Sequence, residues 1–257
     1  MNELSIEEGV WKNSSRLMDI FSEGFYTLVD TNIFLGFPYD HNSNILNIVD
    51  GEFNERNIDS ISQFNMYIWN LFKYVEKFHN ILSPMGVIDE LLKVRRFFDK
   101  KLRGFSDEGD IIIHKIPNEE KDSIKEIRDY ISGIKKVLEK RIYEEPYSVI
   151  LNNSVLFDNY KERINKSYLK SMPFLNEEIC ADDGLVAASF ILLNELKNPI
   201  ILISNDRGVW RRLRKFRESV EDKETYLGLI NKGVILYNCL NPSGLYEVYM
   251  STTDRHV

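Results

Sequence analysis

Four acidic residues stand where a metal-held carboxylate would be useful. Asp30 ends the apolar run Phe25-Tyr26-Thr27-Leu28-Val29 and precedes Thr31-Asn32. Glu90 opens the stretch Leu91-Leu92-Lys93, and Asp183 heads Gly184-Leu185-Val186-Ala187-Ala188. Asp206 closes Ile201-Leu202-Ile203-Ser204-Asn205. Converging carboxylates with no His or Cys among them select hard divalent cations, Mg²⁺ or Mn²⁺, over Zn²⁺. Bound there, such an ion lowers the pKa of a water and stabilises a leaving oxygen, which is the chemistry of phosphodiester hydrolysis. Thr31, Asn32 and Ser204 are neutral neighbours able to hydrogen-bond a carboxylate or a metal-bound water.

Each acid also has a plain structural use. Asp after a strand caps the helix that follows. Acids in a first helical turn are favoured by capping and by the helix dipole. Asp182 competes with Asp183, since neighbours on a helix point about 100° apart and only one faces a given site. Ala187 and Ile191 continue an apolar face beneath Asp183, which favours Asp183 as the site residue. No other chemistry competes, for the chain has no Walker loop, no GxGxxG and no GxSxG. Its histidines, His41, His79, His114 and His256, have no ligand spacing.

The elements that must position these acids are legible in the apolar pattern. Residues 25–30 and 200–204 read as buried parallel strands. Val234–Tyr237 reads as another strand, and Leu245–Met250, after the turn Asn241-Pro242-Ser243-Gly244, as an edge strand. Helical periodicity runs through 60–82, breaking at Ser83-Pro84, and through 87–98, where a strand leading into a helix is the other reading. In 118–142, Ile124, Ile127, Ile131, Ile134 and Leu138 form one stripe. Residues 145–172, 183–196 and 207–219 complete the helices. Residues 1–20 read as an extension, and 104–172 as a helical insertion in a single domain spanning 1–257. Helices alternating with short apolar strands predict an α/β sandwich with a mainly parallel sheet. An open sheet of that kind places its site beyond the carboxyl ends of the strands, where Asp30 and Asp206 lie.

The composition is that of a globular chain of 257 residues. Cys180 and Cys239 have no metal-type spacing and make no disulfide framework, which points to a reducing cytoplasm. No apolar run approaches the roughly 20 residues of a membrane span, so no membrane partner is expected. The net charge of −7 conceals +5 over residues 93–103 and +6 over 207–217. Both basic runs start beside a candidate acid, so Lys93, Arg207 and Arg211 are candidates for phosphate contacts.

The segments LVDTNIFL, VIDELL, ADDGLVAASFILL and ILISNDRGVW, in that order, resemble the four acidic motifs of PIN-domain ribonucleases. The resemblance covers about 25–98 and 175–240. It implies a three-layer α/β/α sandwich and Mg²⁺- or Mn²⁺-dependent cleavage of single-stranded RNA. It places Asp30, Glu90, Asp183 and Asp206 at the metal-ligand positions. Gly208-Val209-Trp210 departs from the usual acidic–aromatic pair after the fourth motif. The chain is longer than the small toxin members, which makes an antitoxin partner a weaker expectation than nuclease chemistry. Whether the chain forms a homodimer is left open. Two other readings remain: an inactive PIN-like RNA-binding or scaffolding protein, and a structure-specific DNA nuclease of flap-endonuclease type, whose sites generally hold more acids.

Overall fold

A computed structural model describes residues 21–22, 24, 26–35, 68–69, 71–103, 118–172, 174, 178–196, 200–204, 206–219, 234–239 and 246–250, the last two segments by their backbone. The elements in chain order are β1 (Tyr26–Val29), α1 (Thr31–Leu35), β2 (Ile81–Leu82), α2 (Met85–Arg103), α3 (Asn118–Ile142), α4 (Ser148–Asn152), α5 (Ser154–Ser171), α6 (Ala181–Leu196), β3 (Ile200–Ser204), α7 (Arg207–Ser219), β4 (Val234–Cys239) and β5 (Tyr246–Met250). This is an α/β fold. The expected extension over 1–20 lies outside the described residues.

The five strands form one sheet in the order β2-β1-β3-β4-β5. The first three pairings are parallel, and β5 closes the edge antiparallel to β4. β1 and β3 are apolar and buried along nearly their whole length, as strands inside a parallel sheet must be. They run in register from Tyr26 opposite Ile200 to Val29 opposite Ile203. The next backbone link, Asp30 N–H to the Ile203 carbonyl at 3.0 Å, brings Asp30 level with Ser204. From β1 the chain adds β2 on one side, then returns to place β3 on the other. The crevice between β1 and β3 is therefore the topological switch point of the sheet, the usual place for a ligand in such folds.

The sequence pattern misplaced one element. The helix expected over 60–82 ends at Lys77, and Ile81–Leu82 is a strand beside β1. A two-residue strand is too short to show a period of its own, and its apolar residues merge with the preceding helical pattern. The expected edge strand and the helices over 118–142, 145–172 and 207–219 are present, and 87–98 is wholly helical.

The segment 118–171 does not hang apart from the sheet. Ile124, Ile127, Ile131, Ile134 and Leu138 of α3 are buried in the same core cluster as β1, β3 and α6. The buried Arg141 donates from Nη1 to the Ile81 carbonyl at 2.9 Å and from Nη2 to the carbonyls of Val75 and Glu76. One guanidinium thus satisfies backbone acceptors at the end of the 71–77 helical stretch and in β2. Tyr130 adds a bond from its hydroxyl to the Phe34 carbonyl at 3.3 Å. Helix α6 is buried from Asp183 to Leu193, about three turns without a solvent face. Among the described residues no helix is long and apolar enough to cross a membrane.

Candidate functional site

Asp30 leaves β1 at the switch point and is 4% exposed. Its Oδ1 accepts the Thr31 N–H at 2.6 Å. Its Oδ2 accepts the Ser204 hydroxyl at 2.5 Å and the Asn32 amide at 2.7 Å. The Ser204 Oγ in turn accepts the Asp206 N–H at 2.9 Å. One hydroxyl therefore joins the strand ends that carry two acids. Thr31 completes the frame from the other side by donating its hydroxyl to Glu90 Oε2. The three neutral residues expected to support the acids each bond to one.

Glu90 lies in the second turn of α2 on the face shared with Gly86, four residues earlier. A Cβ at Gly86 would sit 3.1 Å from the Ala181 Cα and 3.2 Å from its Cβ. The missing side chain lets the start of α2 close on the start of α6. That contact carries Glu90 toward the acids of α6.

At α6 the acid expected to face the site, Asp183, is fully buried. Its Oδ2 accepts the Cys180 N–H at 3.0 Å, and its Oδ1 accepts from Arg212 Nε at 3.0 Å. With Cys180 as the cap, Asp183 is the third residue of the helix, where an acid folds back on the capping residue's N–H. Ala187 and Ile191, beneath it on the helix, are buried in the core. Asp182 faces the other acids in its place. Burial first, then Asp30 and Asp206, and to a lesser degree Glu90, push the Asp182 carboxyl up to about 8, against the opposing pull of Arg212.

Asp206 caps α7 through a 2.5 Å bond from the Gly208 N–H to its Oδ1. Three side-chain ends crowd Gly208. A Cβ there would lie 2.9 Å from Arg212 Nη1, 3.0 Å from Asp206 Oδ1 and 3.2 Å from Asp182 Oδ2. Asp182 and Asp206 thus flank one small gap.

Asp30, Glu90, Asp182 and Asp206 are close enough to repel one another. Burial, then Glu90 and Asp206, push the Asp30 carboxyl up to about 7, while Ser204 and Thr31 pull it down. Carboxylates sharing a poorly hydrated site cannot all ionise without a cation. Their donor chemistry, oxygen only, suits a hard divalent ion. Among the described residues no three of these side chains form a closed group around a point where an ion would sit.

Sequence comparison adds no relative. No family model, curated protein or solved structure matches this chain.

Of the basic candidates, Lys93 and Arg211 are exposed, and Arg207 begins α7 with its side chain outside the described set. Arg212, within the basic run 207–217, is 3% exposed. The signal was available: Val209, Leu213 and Phe216 are buried, and position 212 lies on that same face at helical spacing. A cation on an apolar stripe needs partners, and its partners are Asp182 and Asp183.

Proposed function

We propose that this chain is a Mg²⁺- or Mn²⁺-dependent endoribonuclease, with a PIN-like three-layer α/β/α arrangement, acting on single-stranded RNA in the cytoplasm. The observation that carries the reading is the gathering of Asp30, Glu90, Asp182 and Asp206 at the switch point of the sheet, with the carboxyls of Asp30 and Asp182 pushed up by burial and by their acidic neighbours. Asp30 and Asp182 are the first choices for direct ligands, Glu90 and Asp206 the remaining two. When bound, the ion supplies an activated water and charge stabilisation for the leaving oxygen. Ser204 orients Asp30 against the Asp206 backbone, and Thr31 holds Glu90.

A polyanionic substrate is supported by the outer face of α2. Lys93, Arg96, Lys100 and Arg103 are exposed at spacings of three, four and three, which makes one stripe along the helix. Opposite it, Val87, Leu91, Val94 and Phe98 are buried. The stripe begins one turn beyond Glu90, so phosphates tracking along α2 would lead to the acids.

The test is cleavage of labelled single-stranded RNA with and without EDTA, beside Asp30→Asn. Metal-dependent cleavage lost in the variant supports the reading, and equal cleavage by both proteins refutes it. Labelled single-stranded DNA and flap substrates in parallel reveal a DNA nuclease. The lack of a closed acidic group among the described residues favours one other reading, an inactive PIN-like RNA-binding protein. That protein would show no rise in melting temperature with Mn²⁺ and would still bind RNA.

A further inference from the structure

Helix α2 carries an edge that continues from the acids. Lys93, Phe97 and Lys101 follow Glu90 at spacings of three, four and four, so the four residues share one side of the helix. Helix α3 packs elsewhere on α2. Its Arg128 pairs with Asp99 at 3.6 Å, and Asp99 lies about 200° around the helix from Phe97. The edge runs between the buried stripe of Val94 and Phe98 and the exposed cations of the outer face.

Phe97 is half-buried. Its neighbour Phe98 is fully buried and meets it edge to face, with centroids 5.4 Å apart and an interplanar angle of 79°. That contact steadies the tilt of the Phe97 ring. Over the ring stands Lys101 Nζ, 5.2 Å from the centroid. One ring face thus meets a cation on a flexible four-carbon stem, which can swing aside for another planar group. Phosphate contacts position a strand but do not read its bases. An aromatic face does discriminate, because a duplex keeps its bases stacked inside and a single strand can splay them out. We infer that Phe97 seats an unpaired base, with Lys93 and Lys101 on flanking phosphates, so that this edge of α2 selects single-stranded over duplex RNA. The seat rests on the reading of α2 as the track for the substrate. Phe97 lies seven residues past Glu90, about 10 Å along the axis, or roughly three nucleotides of stacked strand. It is therefore a binding residue set apart from the bond that is cut.

The test is fluorescence anisotropy in EDTA at fixed salt, with a short labelled RNA strand and with the same strand paired to its complement. The wild type should prefer the single strand. Phe97→Leu keeps an apolar group against the core. It should weaken single-strand binding roughly 5- to 150-fold, the range for losing one stacked base, and leave duplex binding unchanged. Phe97→Tyr keeps the ring and should bind the single strand as the wild type does. An equal loss on both RNAs would report a displaced helix, and no loss on either an idle ring; each overturns the inference. A wild type that binds no single-stranded RNA overturns the inference and the substrate track together. Cleavage is read separately with Mn²⁺ present, so binding through Phe97 without cleavage supports the seat and removes the nuclease reading alone.

Discussion

Replacing Asp30 by Asn should make the metal-free protein less sensitive to pH while ending its response to metal. The unfolded chain ionises Asp30 near 3.8, and the folded chain near 7. Between those values the folded state keeps a proton that the unfolded state has lost. Wild-type stability therefore falls as pH rises through that window and levels off above about 7. A shift of roughly three pKa units is worth about 4 kcal/mol, of which roughly 2 to 3 kcal/mol is lost between pH 5 and pH 8. Asn mimics the protonated acid in shape and does not titrate. Urea unfolding in EDTA, with the variant subtracted from the wild type at each pH, cancels groups common to both. The difference should drop by those 2 to 3 kcal/mol, and by more if Asp182 contributes, since Asp30 helps raise its pKa as well. Thermal melts should show the same trend as roughly 5–10 °C for a chain of this size. With Mn²⁺ at pH 8 the wild type should recover and the variant should not. A difference that stays flat or grows with pH would mean that Asp30 is not held above its ordinary range, and the argument for a cation there would lose its electrostatic basis.

Other perturbations separate the roles assigned above. Asp182→Asn should cut Mn²⁺ affinity roughly a hundredfold or more, measured by calorimetry. Asp183→Asn should leave that affinity much closer to wild type while costing about 3 kcal/mol of stability by halving the anionic partners of Arg212. The opposite pattern would restore Asp183 to the site. Gly86→Val should push α2 from α6, costing about 1–3 kcal/mol, and should weaken Mn²⁺ binding although no acid is changed. Unaltered affinity would show that the helix approach does not set the acid spacing. Arg141→Met should cost about 3 kcal/mol or more by stranding the carbonyls of Val75, Glu76 and Ile81, visible as a lowered urea midpoint. A neutral result there would show that α3 is peripheral to the sheet.

The parts of the site legible in the sequence are those where the local pattern and tertiary packing agree. Asp30 and Asp206 each follow an apolar strand, and parallel pairing alone brings those strand ends level. Ser204 could be placed by the same reasoning, and it is the hydroxyl that joins the two ends. Two things escaped: β2, because two residues carry no period, and the close crossing at Gly86 and Ala181, because nothing local marks which glycine meets another helix.

The apolar face below Asp183 favours it over Asp182 in the sequence, whereas in the structure Asp183 bonds Cys180 and Arg212 and Asp182 lies near Asp30 and Asp206. A buried helix has apolar residues on nearly every side, so that face cannot discriminate. Capping geometry can. The third residue of a helix returns to the cap, and here its neighbour one position earlier is left near Asp30 and Asp206. Arg212 completes the logic: a guanidinium on the apolar face of α7 must find anions, and the first turn of α6 presents two side by side. One arginine thus fixes one acid in the core and steadies the other at the crevice. Adjacent aspartates at the start of a buried helix, with an arginine on a neighbouring apolar stripe, are therefore better read as a pair with divided duties than as a choice between rivals.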